Sequence, residues 1–182
     1  LNSVSTLDIK TMAWKHHQPS GNVPCPRYAH VAAQDGNRMY IFGGFGRPAK
    51  AAEMYLNDVW SFDVTLLEWT LLDTLDGLPP APRAACASAF DPRTRTWFIH
   101  GGNAGEQRLN DMYALDVQTQ QWRQIEMLGP GPGPRAGHSM TLVGAGLHLF
   151  GGCERSEFDA PEMESDFFND HFIVPVGEVD WL

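Results

Sequence analysis

Three arginines, Arg27, Arg83 and Arg135, close the segments Pro24-Cys25-Pro26-Arg27, Pro80-Ala81-Pro82-Arg83 and Pro132-Gly133-Pro134-Arg135. A guanidinium fork suits carboxylates, which it holds through two parallel hydrogen bonds. Three residues further on stand His30, Cys86 and His138; the two histidines read as satisfied core side chains rather than ligands. His100 and His148 take positions that are aromatic in sister segments, and His16-His17 lie in a connecting loop. A second concentration of chemistry spans Cys153 to His171, where Glu154, Glu157, Asp159, Glu162, Glu164, Asp166 and Asp170 face a single Arg155. Three readings of it stay open: a solvated insertion, a docking surface for a basic partner, and a site for a hard divalent cation, which needs several carboxylates. Glu162, Asp166 and Asp170 recur at steps of four, with His171 one residue beyond. The chain has no Gly-x-Ser-x-Gly elbow, no phosphate-cradling glycine loop with lysine, and no close histidine pair with a third ligand, so catalysis has little support.

The elements that position these residues are repeats. Each arginine leads to a double glycine, Gly43-Gly44, Gly101-Gly102 and Gly151-Gly152. Leu56-Asn57-Asp58-Val59-Trp60-Ser61-Phe62-Asp63-Val64 is matched at Leu1 to Ile9, at Leu109 to Val117 and, more weakly, at Phe168 to Val176. Five residues after each copy comes a tryptophan: Trp14, Trp69, Trp122 and Trp181. The intervals fall near the ~40–50 residues of propeller repeats plus loop insertions. Each repeat reads as four strands, because short apolar runs alternate with turn-formers and no window has a helical period. Strand a is expected over Arg27 to Ala33, b over Met39 to Phe42, c over Asp58 to Val64 and d over Trp69 to Leu72. Strands b and c are apolar on both faces, as a sheet covered on both sides requires. A side chain at either paired glycine is expected to strike the neighbouring backbone. The tryptophan of strand d is expected to fill the wedge between blades, with its indole N–H finding a partner.

This combination of Arg-x-x-His, Gly-Gly, Asn-Asp, Phe-x-Asp and Trp resembles the kelch repeat, over practically the whole chain. The resemblance implies an all-β kelch-type β-propeller: about three four-stranded blades plus an extra c–d hairpin, within a ring of six or seven. The repeats run 1–55, 56–108 and 109–167, with a partial copy at 168–182, all one propeller segment over 1–182. Cys86, Ser3 and Val174-Pro175 depart from the pattern. In kelch adaptors of the ubiquitin-ligase type, arginines at this place grip acidic peptides; repeat logic offers instead a bridge between blades, to a carbonyl or to the Asn-Asp residues. Nitrile-specifier proteins, similar to kelch propellers with an iron site, carry Glu, Asp and His at the spacing of Glu162, Asp166 and Asp170. Galactose oxidase, similar in fold, uses tyrosine and histidine on copper, whereas Tyr28, Tyr40, Tyr55 and Tyr113 sit mostly where packing explains them.

The chain's 182 residues, 43% of them hydrophobic and 19% charged, suffice for a buried core. A net charge of -9 disfavours nucleic acid as a partner. No apolar run is long enough for a bilayer span and no signal peptide is visible at Leu1. Three unmatched cysteines suit a reducing compartment, so a cytoplasmic location is expected. Three blades leave two raw edges, and the chain is expected to be a segment of a longer polypeptide, or to be closed by a second copy or a partner. The b–c and d–a loops share one face, including Phe45 to Tyr55, Asn103 to Arg108 and Cys153 to Phe167. Variable loops on a rigid frame are where binding residues concentrate. The resulting expectation is a protein-interaction scaffold or adaptor without cofactor or metal, contacting another protein or peptide through Arg27, Arg83, Arg135, Tyr55, Glu157, Phe158, Glu162 and Asp166. A metal-dependent kelch enzyme or specifier protein, with Glu162, Asp166 and Asp170 or His171 as ligands, and an architectural subunit are the alternatives.

Overall fold

Asp8, Asp63 and Asp116 each end a strand and turn the chain in the same way. One carboxylate oxygen accepts from the backbone N–H groups two and three residues on, Lys10 and Thr11, Thr65 and Leu66, Gln118 and Thr119. A local bond of this kind makes a tight reversal cheap for the backbone. The computed structural model describes residues 3–48, 51–74, 77–127, 129–154 and 166–176; among these every regular element is a strand.

The strands β1 (Val4–Asp8) and β2 (Ala13–His17) form an antiparallel hairpin. A short ladder follows, made of β3 (Arg27–Tyr28), β6 (Phe45–Gly46) and β7 (Met54–Tyr55). Interleaved with it, β4 (Val31–Asp35), β5 (Arg38–Phe42), β8 (Val59–Asp63) and β9 (Glu68–Leu71) build the first blade. The second blade is β10 (Ala87–Asp91), β11 (Thr96–Ala104), β12 (Gln107–Asp116) and β13 (Gln121–Ile125). The third sheet is β14 (Ser139–Val143), β15 (Gly146–Phe150) and β16 (His171–Pro175). Innermost strands of successive sheets lie side by side, β4 beside β10 and β10 beside β14. The architecture is that of an all-β propeller.

The core sits between blades. Tyr40, Phe42 and Val59 of the first pack against Trp97, Ile99, Leu115 and Trp122 of the second. Phe98, Met112 and Ala114 on the opposite face of the second meet Met140, Leu147 and Leu149 of the third sheet. The central strands of the second blade are thus buried on both faces, which accounts for their unbroken apolar character.

Three expectations need correction. Strand a begins at Val31 rather than Arg27, and Arg27–Tyr28 belongs to the separate ladder. Asn103 to Arg108 is no loop: β11 and β12 continue past a register shift at Gly101 and pair Asn103 with Arg108, so a two-residue turn suffices. The indole N–H groups of Trp69 and Trp122 are buried without a hydrogen-bond partner. Their rings are held by aromatic contact, Trp122 with Phe42 and Trp69 with Phe62, and the apolar packing compensates the orphaned donor. Trp14 is 67% exposed, and Trp181 lies outside the described residues.

Candidate functional site

The recurrent arginines are held in one repeated way. Arg83 donates to the Gly101 carbonyl and to both oxygens of Asp111, at 2.5 and 2.9 Å, while its own backbone N–H and C=O bond to Leu56 and Gly44 of the preceding blade. Arg135 repeats this with Gly151 and Asp170, and Arg27 with Gly43 and Asp58. The side-chain fork therefore ties the strands of one blade, and the backbone of Arg83 and Arg135 ties two blades together. Burial disfavours the Arg27 charge, but the Asp58 hydrogen bonds and attraction outweigh it and raise its pKa. Burial likewise raises Asp58, yet the bonds from Arg27 and from the Trp60 indole, at 2.7 Å, leave it lowered overall. With every fork bound inside the protein, and Arg83 wholly buried, these groups offer a partner little free donor capacity.

Gly43 and Gly101 abut the backbone of the following blade, and the second glycine of each pair abuts its own. A Cβ on Gly43 would stand 2.7 Å from the Arg83 carbonyl, and one on Gly101 2.7 Å from that of Arg135. On Gly44, Gly102 and Gly152 it would meet the Tyr28, Ala84 and Ala136 carbonyls at 2.7 to 2.8 Å. Gly151 meets only Phe168, at 3.3 Å.

Directly above each arginine the backbone forms a row of three cross-strand neighbours. In the first blade it reads Tyr28, Phe45, Tyr55; in the second Ala84, Asn103, Arg108; in the third Ala136, Cys153, Phe167. The scaffold is constant and the chemistry changes from row to row. The first is aromatic, with ring centroids 5.7 Å apart between Tyr28 and Phe45 and 5.0 Å between Phe45 and Tyr55. Tyr28 is 66% exposed and Met54, next to Tyr55, 47%. The second is polar, Arg108 donating to the Asn103 side chain. The third ends in Phe167, 71% exposed, above a concavity lined also by Phe150, Gly152 and Cys153.

Of the other expected site residues, Asp166 is exposed, its carbonyl accepting from the Glu154 N–H. Glu157, Phe158 and Glu162 lie outside the described residues. Both oxygens of Asp170 accept from Arg135, so a cation there would have to share the carboxylate with that guanidinium. Among the described residues no three His, Cys, Asp or Glu side chains converge as metal ligands, and no helix is long and apolar enough to cross a membrane. His100 and His138 form a buried pair with ring nitrogens 2.8 Å apart; burial first, then neighbouring positive charge, lowers them to about 4 and about 3. His148 is not packed inside but stacks on His171 at the outward face of the third sheet. The sequence assigns Tyr28 to packing and places Phe45 and Met54 only within the Phe45 to Tyr55 loop, without naming them as contacts. Their signal was position, Tyr28 following the repeat arginine, Phe45 the double glycine and Tyr55 preceding Leu-Asn.

The model of the KLHDC2/KLHL20/DRC7 Kelch-repeats domain matches residues 1–152. The chain belongs to the kelch-repeat family. Among kelch relatives, it is similar to Host cell factor 2 of Homo sapiens, with 30% identity across 83% of this chain and 21% of that protein. Host cell factor 1 of Rattus norvegicus is 30% identical across 83% of this chain and 8% of its own length. Acyl-CoA-binding domain-containing protein 5 of Arabidopsis thaliana is 30% identical across 82% and 22%. The chain thus spans about a fifth or less of the length of these curated relatives.

Proposed function

We propose that this kelch chain is a protein-interaction module whose loop face recognises another protein or peptide. The observation that carries this reading is the Tyr28-Phe45-Tyr55 row. It stands outside both inter-blade cores, and it presents amphipathic aromatics of the kind enriched at interface anchors. The Arg27, Arg83 and Arg135 forks are the frame beneath, while Tyr55, Tyr28, Phe167 and Asp166 supply contact, with Glu157, Phe158 and Glu162 extending it. The outward face of the third sheet, where Val143, Phe150 and Ile173 are exposed, supports the accompanying reading that further blade structure, from the rest of a longer polypeptide or a second copy, covers it.

A photo-crosslinking residue at position 55 on the loop face, and another at exposed Leu66 on the opposite face, test the proposal in cell extract. Discrete protein adducts through position 55, lost when Tyr28 becomes Ala and absent from position 66, are the expected result. Equal labelling from both faces overturns it.

A further inference from the structure

The joints between blades share one backbone design. At the first, Gly44 N–H donates to the Arg83 carbonyl at 2.8 Å and Ala85 N–H to that of Ala29 at 2.8 Å. At the second, Gly102 N–H donates to Arg135 at 2.9 Å and Gly137 N–H to Ala85 at 2.8 Å. The side chains differ. The residue before the double glycine is Phe42 at the first joint and His100 at the second, and three residues after the arginine stand Cys86 and His138. Phe42 and Cys86 belong to one apolar cluster. In their place are two imidazoles, edge to face with centroids 4.9 Å apart.

His100 Nδ1 and His138 Nε2 share one hydrogen bond at 2.8 Å, and the outer nitrogens, His100 Nε2 and His138 Nδ1, are buried without a hydrogen-bond partner. A neutral imidazole carries one N–H, so the shared bond fits two neutral rings. A further proton meets no acceptor at His138 Nδ1 and only the Asn110 backbone at His100, and it charges one ring beside the other. Arg135 opposes that charge on both rings and Arg83 on His100; Asp111 and the Asn110 backbone favour it on His100, and Asp170 favours it on His138. The four charged side chains are already paired as Arg83–Asp111 and Arg135–Asp170, so their net field is small, and the cost of burying an added charge dominates.

We propose that the joint between the second blade and the third sheet is a proton-sensitive seam: proton uptake by the His100–His138 pair parts β10 from β14, while the Phe42–Cys86 joint stays closed. The row Ala84-Asn103-Arg108 and the row Ala136-Cys153-Phe167 lie on the two sides of this seam. Acidification therefore changes the loop face itself.

Hydrogen exchange on the full chain between pH 7 and pH 5, corrected for intrinsic rates, tests this with an internal control. Gly102 and Gly137 amides report the second joint; Gly44 and Ala85 amides report the first. The expected result is that opening at Gly102 and Gly137 rises about tenfold per pH unit below about 6.5 for each histidine protonated, more steeply than at Gly44 and Ala85, where only His30, beside Ala29, has its pKa lowered by burial. The double variant His100→Phe with His138→Cys, which gives the second joint the residues of the first, is expected to abolish the rise. Equal pH response at both joints in the unsubstituted chain, or a rise that survives the double variant, overturns the proposal. The first comparison needs no variant to fold.

Discussion

Arg83 and Asp111 form a bidentate ion pair in which the guanidinium is wholly buried and the carboxylate is partly open on the loop face. The same arginine accepts the Gly44 N–H at its carbonyl and donates its backbone N–H to Leu56. One residue thus sets the strand order within the second blade and its seat on the first. Its burial explains why a charge recurs where an apolar residue would be simpler: the fork satisfies the Gly101 carbonyl at the bulge and leaves no orphan.

Removing one partner of such a pair leaves the other charge desolvated. Asp111→Asn is expected to destabilise the protein by about 3–5 kcal/mol, read as a lower urea midpoint. Arg83→Lys is expected to cost nearly as much, since a lysine cannot span both oxygens and the carbonyl. A loss under 1 kcal/mol for both would refute the stapling role.

Gly101 and Gly151 occupy equivalent places, with φ of +61° and +70°, yet they differ in surroundings. A methyl group at Gly101 meets the Arg135 and Leu109 carbonyls at 2.7 and 2.9 Å, whereas at Gly151 the nearest atom is 3.3 Å away. Both alanine variants carry the left-handed backbone penalty, and Gly101→Ala adds overpacking of about 2 kcal/mol. Thermal unfolding of the two side by side measures the difference; equal shifts would mean that blade contact is not what demands glycine.

The fold was legible because the repeat tests itself: a double glycine, an Asn-Asp and a tryptophan return in register, so blade borders follow without knowledge of any contact. Side-chain roles were less legible. Arg83 reads both as a donor to acidic ligands and, by repeat logic, as a bridge between blades to a carbonyl or to the Asn-Asp residues. Its fork does bind the Gly101 carbonyl and Asp111, but within one blade, and its backbone joins the two. Tyr28 reads as a strand residue because it adjoins the blade, yet the chain leaves the sheet between Tyr28 and Val31, with Ala29 at φ 53°, and the tyrosine turns outward. Asn103 to Arg108 reads as a loop from its Gly-Glu turn, since cross-strand pairing of short polar segments leaves no hydrophobic alternation to detect. His148 reads as packed by analogy with Tyr40 and Phe98, but packing belongs to the neighbour as well as to the residue.

Cysteine reactivity separates buried from accessible thiols. All three cysteines are free; Cys86 is buried, and Cys25 and Cys153 are half-buried. Burial pushes the Cys86 thiol up to about 12, so it stays protonated and shielded. Titration of the native protein with an aromatic disulfide reagent is expected to modify Cys25 and Cys153, with Cys86 reacting only in denaturant. Rapid native labelling of Cys86 would show that the first joint opens as readily as a surface loop moves.

Acid is expected to remove stability in two windows that overlap only at their shared edge, between 3.8 and about 3. His100 and His138 have folded pKa values of about 4 and about 3, below their ordinary 6.5. The unfolded chain therefore binds more protons below 6.5, and their contribution, complete above that pH, is lost as pH falls towards about 4 for His100 and about 3 for His138. The His100 shift alone corresponds to about 3 kcal/mol. Asp58 also has a folded value below its ordinary 3.8, so the stability it supplies through Arg27 persists above that value and disappears as pH drops through the folded one. Urea titrations at pH 7, 5.5, 4.5 and 3 resolve the two. Replacing His100 by Phe and His138 by Cys is expected to shrink the upper window and leave the lower, and Asp58→Asn to shrink the lower, to which Asp63, Asp91 and Asp170 also contribute, and leave the upper. A single loss confined below pH 4, unaffected by the histidine replacements, would assign acid sensitivity to the carboxylates alone.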